Sequence, residues 1–144
     1  MNWTQQTKLF LRKARGDLYS AKVLAERADT PDENIGFCIQ QAVEKSLKAL
    51  LNHHQIQAPR THDLTRLAEL AAALDPAPPL DPELLMQAQP FAVAWRYDDE
   101  PQSIDRQALI VAAEALLDWV IAACTVHARP DDNRHGAAEP PGQS

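Results

Sequence analysis

Cationic side chains are the groups of this chain best suited to chemistry, and the first set lies near the N-terminus. Lys8, Arg12, Arg15 and Lys22 share one face of a predicted helix with Tyr19. A basic stripe that contains an aromatic ring suits a phosphate backbone or a nucleotide. The alternative is a solvated helix face whose cations pair with acids of the same chain or of a partner.

The run Arg60-Thr61-His62-Asp63, just before a predicted helix, forms a second set. A guanidinium and an imidazole at a helix N-terminus could bind an anion. In the alternative, the run is a structural turn: Thr61 or Asp63 caps the helix, and Arg60 pairs with a carboxylate such as Glu44. Both interpretations stay open for Arg60 and His62.

Two further groups of cations complete the candidate set. Lys45 and Lys48 lie on the polar face of the second predicted helix, where Lys48 follows Glu44 at the i,i+4 spacing of a helical ion pair. Arg96 and Tyr97 precede three acidic residues at positions 98–100, so Arg96 could equally belong to a surface ion network.

Other kinds of site have little support. The chain has four glycines and no glycine-rich phosphate loop, and no serine or cysteine has a convincing catalytic partner. His53 and His54 are adjacent and point in different directions, so we expect no metal site and no cofactor. Cys38 and Cys124 lie in apolar stretches and are expected to be buried free thiols.

Charge is distributed unevenly around a net value of −6. Residues 1–60 hold nine Lys/Arg and six Asp/Glu, whereas residues 61–144 hold five and fourteen. Overall acidity argues against strong nonspecific binding to DNA but allows one local basic face. No apolar signal region follows Met1, so we expect a cytoplasmic protein without a membrane association.

Helical periodicity runs through the chain, and strand-like alternation is absent. It predicts an all-α, antiparallel up-and-down bundle of four to five helices, at about residues 4–28, 32–54, 63–73, 82–92 and 103–126. Residues 1–127 would form the single domain, and residues 128–144 a disordered tail by composition. Gly16, inside the first helix, is expected to mark close packing.

Two of these helices are more apolar than one face of a domain requires. The apolar residues of the second cover an arc of roughly 220°, where a surface helix needs only ~100°. The fifth is apolar nearly all round, but Glu114 and Asp118 would each cost ~2.5–3.5 kcal/mol inside a bilayer. We therefore expect both helices to be covered by a second copy of the chain, in a homodimer.

One motif resembles a known family, the HEPN domain. The resemblance covers about residues 5–126 and is strongest over residues 37–64. It rests on Gln40-Gln41-Ala42-x-Glu44-Lys45-x-x-Lys48-Ala49-Leu50-Leu51, on Pro59-Arg60-Thr61-His62-Asp63-Leu64, on Ala14, Asp17, Leu18 and Ala21, and on Trp95-Arg96-Tyr97.

The resemblance implies a homodimeric protein that works beside a minimal nucleotidyltransferase, often as a toxin–antitoxin-like pair. Ribonuclease members of the family carry an arginine and a later histidine with four to six residues between them. Counted from Arg96, those positions hold Pro101, Gln102 and Ser103. Arg129 and His135 match the spacing only within a tail rich in proline and glycine, and we interpret that match as chance.

Three hypotheses follow. The first is a non-catalytic or weakly catalytic HEPN module that binds nucleotide, RNA or its nucleotidyltransferase partner. The second is a metal-independent endoribonuclease that uses Arg96 with His62 as an unusual base. The third is a dimeric scaffold. The ligand-binding residues predicted for the first are Lys8, Arg12, Arg15, Lys45, Lys48, Arg60, His62, Arg96 and Tyr97.

Overall fold

Helices account for all the regular secondary structure that the computed structural model describes, over residues 2–92 and 103–126. The elements are α1 (Trp3–Ala25), α2 (Asp32–His53), α3 (Leu64–Ala72), α4 (Pro82–Ala88) with a 3₁₀ turn at Gln89–Ala92, and α5 (Arg106–Val126). The predicted all-α fold is confirmed. The predicted tail and the predicted pair Arg96 and Tyr97 lie outside the described residues.

Polar caps set where the helices begin. Asn2 and Gln5 form a capping box at the start of α1. Asp63 caps α3 by accepting a hydrogen bond from the Thr65 amide, which decides between the two predicted caps. At α5, Asp105 accepts from the Ala108 amide at 3.1 Å, so this helix begins after Asp105 and not at the predicted position 103.

The core is built around α2, which packs against α1, α3, α4, the 3₁₀ turn and α5. α1 and α2 follow each other through a short connection and form an antiparallel hairpin. Six large apolar side chains of α2 are fully buried, and Phe37 is half-buried; the six are Ile35, Ile39, Val43, Leu47, Leu50 and Leu51. One chain therefore covers these six side chains without a second copy, and the predicted homodimer stays a prediction.

The two glycines inside helices differ from the prediction. A methyl group at Gly16 would meet nothing within 4 Å, so Gly16 marks no close packing. Gly36 is the closely packed one, because a Cβ there would lie 2.6 Å from the ring of Phe91. The 3₁₀ turn thus seats its aromatic ring directly against the backbone of α2.

α5 keeps an apolar strip on its outer face. Over Arg106–Thr125 it has the length and the hydropathy (mean 1.9) of a membrane span, the one described helix that does. Its inner face packs on α1 and α2, Glu114 pairs with Lys22 of α1, and 39% of this span is buried within the chain. Exposed apolar side chains remain at Ala108, Val111, Ala115 and Ala122.

Candidate functional site

A buried carboxylate lies at the centre of the polar groups. Glu44 is only 1% exposed, and both of its carboxylate oxygens have hydrogen-bond partners. Its Oε1 lies 2.8 Å from His62 Nδ1 and accepts from Gln40 Nε2 at 3.1 Å. Its Oε2 accepts from Lys48 Nζ at 3.2 Å and lies 3.7 Å from Lys45 Nζ. We call these five residues the Glu44 network.

Helical spacing and one loop assemble this network. Gln40, Glu44 and Lys48 follow each other at intervals of four and so share one face of α2. The loop before α3 brings in His62, whose backbone carbonyl accepts from Gln40 Nε2 at 3.1 Å. Gln41 lies beside the Glu44 network and links two of its members: it donates to Gln40 Oε1 at 2.6 Å and accepts from Lys45 Nζ at 2.7 Å.

Glu44 is held in its charged form. Burial by itself would raise its pKa, but hydrogen bonds from His62 and Gln40 and the charges of Lys48 and Lys45 together lower the pKa of Glu44 below its usual value. The carboxylate therefore accepts a hydrogen bond from Nδ1 of His62. The ring is otherwise mostly exposed, at 66%, which leaves Nε2 open to a ligand.

α1 contributes a second carboxyl group beside this network. Asp17 is half-buried, and burial raises its pKa against the opposing charge of Lys45. Lys45 thus lies in the field of two acids.

On the neighbouring turn of α2, Cys38 is half-buried, and burial together with the charge of Asp17 raises the pKa of its thiol. Cys124 is also half-buried, so neither cysteine is fully buried as predicted, and burial raises the pKa of Cys124 to about 12. Both shifts disfavour the thiolate form at neutral pH.

Arg60 does not pair with Glu44, which corrects one of the two interpretations of its loop. It is exposed, and no carboxylate within residues 2–92 and 103–126 is within ion-pair distance of it. Arg60 instead lies with Lys48 on the wall of a cleft between α1 and the end of α2. The turn itself is structural, as the alternative had it: Asp63 caps α3, and Thr61 Oγ1 accepts from the Asp63 amide at 3.0 Å.

The basic stripe of α1 is a separate surface. Lys8, Arg12, Arg15 and Tyr19 are all exposed, and none of the three cations has an ion-pair partner among the residues described. Lys22 was predicted on the same face, but it forms an ion pair with Glu114 of α5 and is not counted among the unpaired cations. We use the name α1 stripe for the remaining three cations and Tyr19. At ~100° per residue, the α1 stripe lies roughly 170° around the helix from Asp17, and hence from the Glu44 network.

The structure therefore divides the predicted ligand-binding residues. Lys45, Lys48 and His62 meet at Glu44, and Arg60 lies nearby across a cleft. Lys8, Arg12 and Arg15 lie on the opposite side of α1. Within the described residues, no group of three or more His, Cys, Asp or Glu side chains is arranged to hold a metal ion.

Glu44 and Gln40 were not predicted as the centre of a site, although the sequence holds a signal for them. An apolar arc of roughly 220° means that neighbours pack against α2 on both sides, so its remaining polar face is narrow. Polar groups in so narrow a face are buried as well, and buried polar groups must find partners. A carboxylate in that position should therefore be read as the hub of a network.

Comparison with known proteins agrees with the fold and with the motif on α2. The sequence model of the HEPN domain matches residues 7–123, which is most of the chain and includes most of α1, the Glu44 network and nearly all of α5. Searches of curated proteins and of solved structures each found no match. On the extent of the domain match, the chain belongs to the HEPN domain family.

Proposed function

We propose that this HEPN domain binds single-stranded RNA or nucleotide through phosphate groups, as a non-catalytic or weakly catalytic partner of a minimal nucleotidyltransferase. The observation that carries the proposal is the α1 stripe. Its three cations are exposed and have no acidic partner in the described part of the chain, and Tyr19 beside them is 69% exposed. Exposed cations beside an exposed aromatic ring combine phosphate attraction with base stacking.

The length of the α1 stripe suits a single strand of RNA. Lys8 and Arg15 are seven positions apart, which is roughly 10 Å along a helix. Phosphate charges of one strand repeat every ~3.4 Å along a duplex axis, so a length of roughly 10 Å lets each of the three cations meet one phosphate. The acidity of the rest of the chain would confine the ligand to this face.

Partners of this protein are part of the same proposal. A second copy would cover the exposed apolar strip of α5, at Ala108, Val111, Ala115 and Ala122. A nucleotidyltransferase would be the protein partner, as in the toxin–antitoxin-like pairs that the family resemblance implies. We propose a cytoplasmic location for the assembly, with α5 in protein contacts and not in a membrane.

Neutralising the α1 stripe should weaken RNA binding. We expect the double variant Arg12→Gln with Arg15→Gln to bind a labelled single-stranded oligoribonucleotide at least about tenfold more weakly than wild type, because two phosphate contacts are lost. Fluorescence anisotropy at low salt measures this. The matched control is Lys13→Gln with Arg66→Gln, which makes the same change in net charge at exposed positions away from the stripe. Equal weakening in both variants would reject the stripe as the binding surface.

A second candidate function, a metal-independent endoribonuclease, is favoured by one observation. The buried Glu44 carboxylate orients an exposed histidine, which is the arrangement of a general base and its orienting acid. Nε2 of His62 would take the proton of a ribose 2′-hydroxyl. The histidine expected after Arg96 is absent from the sequence, so a second proton-transfer group is not supplied there.

Cleavage assays separate the two candidates. Because the expected histidine is missing, we expect purified protein to leave single-stranded RNA intact in EDTA, as followed on denaturing gels. Metal-free cleavage that His62→Gln abolishes, and that the control His54→Gln retains, would promote the endoribonuclease over the binding module.

A further inference from the structure

A cleft lies on the side of α1 opposite the α1 stripe, and cationic and amide side chains line it. It lies between the first half of α1, the end of α2 and the loop that follows α2. Its volume is about 280 Å³, at the small end of ligand sites in proteins. Two cations and no acid line it; the lining residues are Gln6, Phe10, Lys48, Asn52, Gln57, Ala58, Pro59 and Arg60.

Lys48 enters this cleft already held in place. Its side chain is only 13% exposed, and its ammonium donates to Glu44 Oε2 at 3.2 Å. An ammonium has three donors, so two remain for a ligand. Because the anchoring bond is made before any ligand arrives, little rotamer entropy is left to lose on binding.

Arg60 lines the same cleft as Lys48, and its guanidinium is uncommitted. It is exposed, and it makes no ion pair or side-chain hydrogen bond with the described residues. Its planar fork of donors matches two oxygens of one phosphate group. Asn52 is already engaged, since its amide donates to the Trp3 carbonyl and to Thr7 Oγ1, both at 2.7 Å. The side chains of Gln6 and Gln57 are the other polar groups on the wall.

The balance of charge selects the ligand. The cleft wall carries two positive charges, on Lys48 and Arg60. Glu44 is the one carboxylate paired with either of them among the described residues, and it is shared with Lys45, whose charge Asp17 also opposes. A phosphomonoester carries about −1.5 to −2 charges at pH 7, whereas a phosphodiester or a carboxylate carries only one. The volume of the cleft also suits a terminal phosphate with its sugar better than a stretch of chain.

We propose that this cleft binds a phosphomonoester, gripped between Lys48 and Arg60. The group could come from a free nucleotide or from the 5′ end of an RNA. The site itself does not depend on the α1 stripe, but its use by an RNA end rests on the proposed function. An RNA would then bind the α1 stripe through its internal phosphates and the cleft through its terminal phosphate.

Adenosine monophosphate and adenosine, titrated separately by calorimetry at low salt, test the site because they differ only in the phosphate. We expect the monophosphate to bind at least tenfold more tightly than adenosine. Arg60→Gln should remove that difference, while Arg66→Gln, an exposed arginine on α3, should keep it. Equal binding of the two compounds by wild type, or equal losses in the two variants, would overturn the proposal.

Oligoribonucleotides with and without a 5′-phosphate distinguish the two sources. A tenfold preference for the phosphorylated end that Arg60→Gln abolishes would support the RNA end. Binding of the monophosphate without such a preference would support the free nucleotide. Arg12→Gln with Arg15→Gln should weaken both oligoribonucleotides by the same factor and keep the preference for the phosphorylated end. These variants therefore show separately whether the α1 stripe binds RNA and whether the cleft binds a phosphomonoester.

Discussion

Replacing Leu47 with lysine should leave the domain unfolded and not produce a soluble monomer. Leu47 is fully buried within a single chain, on the helix that every other packed element touches. Losing the leucine costs about 2–5 kcal/mol. Burying an unpaired ammonium costs several more, against a total stability of about 5–15 kcal/mol for a domain of this size. Circular dichroism during thermal unfolding should show no cooperative transition in the variant.

Val111→Lys on α5 is the matched control, because Val111 is 56% exposed. We expect this variant to keep the helical content of the wild-type chain and a cooperative thermal transition. It is also the change that tests the proposed homodimer, since a lysine in the exposed strip should reduce the mass measured by light scattering. A Leu47→Lys variant that folds as a stable monomer would contradict the arrangement of the core described above.

Removing Glu44 should produce the largest loss of stability among the polar positions. In Glu44→Ala, His62, Lys45 and Lys48 lose a shared acceptor, and Lys48 remains mostly buried without its partner. Breaking a buried charge network from one side costs about 3–5 kcal/mol. Urea unfolding measures this. The control Glu69→Ala, which removes an exposed carboxylate 3.9 Å from Arg66, should change stability by no more than about 0.5 kcal/mol.

The same network predicts a signature in acid. The pKa of Glu44 is lower in the folded chain than its usual 4.5, so the stability that its charge provides is complete above that value. This stability disappears as the pH falls through the folded-state pKa. The raised pKa of Asp17 acts in the opposite direction, because protonation relieves the cost of its buried charge. Glu44→Gln retains Asp17, so the difference between wild type and this variant isolates Glu44.

We expect the unfolding free energy of Glu44→Gln to fall less steeply below pH 4.5 than that of wild type. Parallel curves for the two proteins would show that the Glu44 carboxylate gains nothing in the folded chain from its three hydrogen-bond donors and the charge of Lys45. Such a result would also remove the reason for regarding His62 as held in one orientation.

The fold was predictable because its signals are local. Helical period and caps such as Asp63 are properties of short stretches, and they located all five helices within a few residues. The covering of α2 was not predictable in the same way. The apolar arc of one helix says how much surface must be buried but not whether the same chain or a second copy buries it. Here the 3₁₀ turn, with Phe91 against Gly36, supplies part of the cover.

The candidate site was predictable by residue type and not by arrangement. Lys45 and Lys48 were identified from their spacing on α2, but the side chains that meet them come from a distant loop and from α1. The rotation of α1 in the bundle decides that Arg12 and Arg15 face away from Glu44 while Asp17 faces toward it. That rotation depends on long-range packing at Ala14, Leu18 and Ala21, which no local pattern specifies.

The salt dependence of RNA binding tests the central claim most directly. For a single strand, the logarithm of the binding constant falls with the logarithm of salt concentration at a slope of about −0.7 per phosphate contact. With three contacts on the α1 stripe, wild type should show a slope near −2 in anisotropy titrations at several salt concentrations. Arg12→Gln with Arg15→Gln should reduce its magnitude by about 1.4, whereas Lys13→Gln with Arg66→Gln should leave it unchanged. An unaltered slope in the stripe variant, or RNA binding that does not respond to salt, would contradict the proposal.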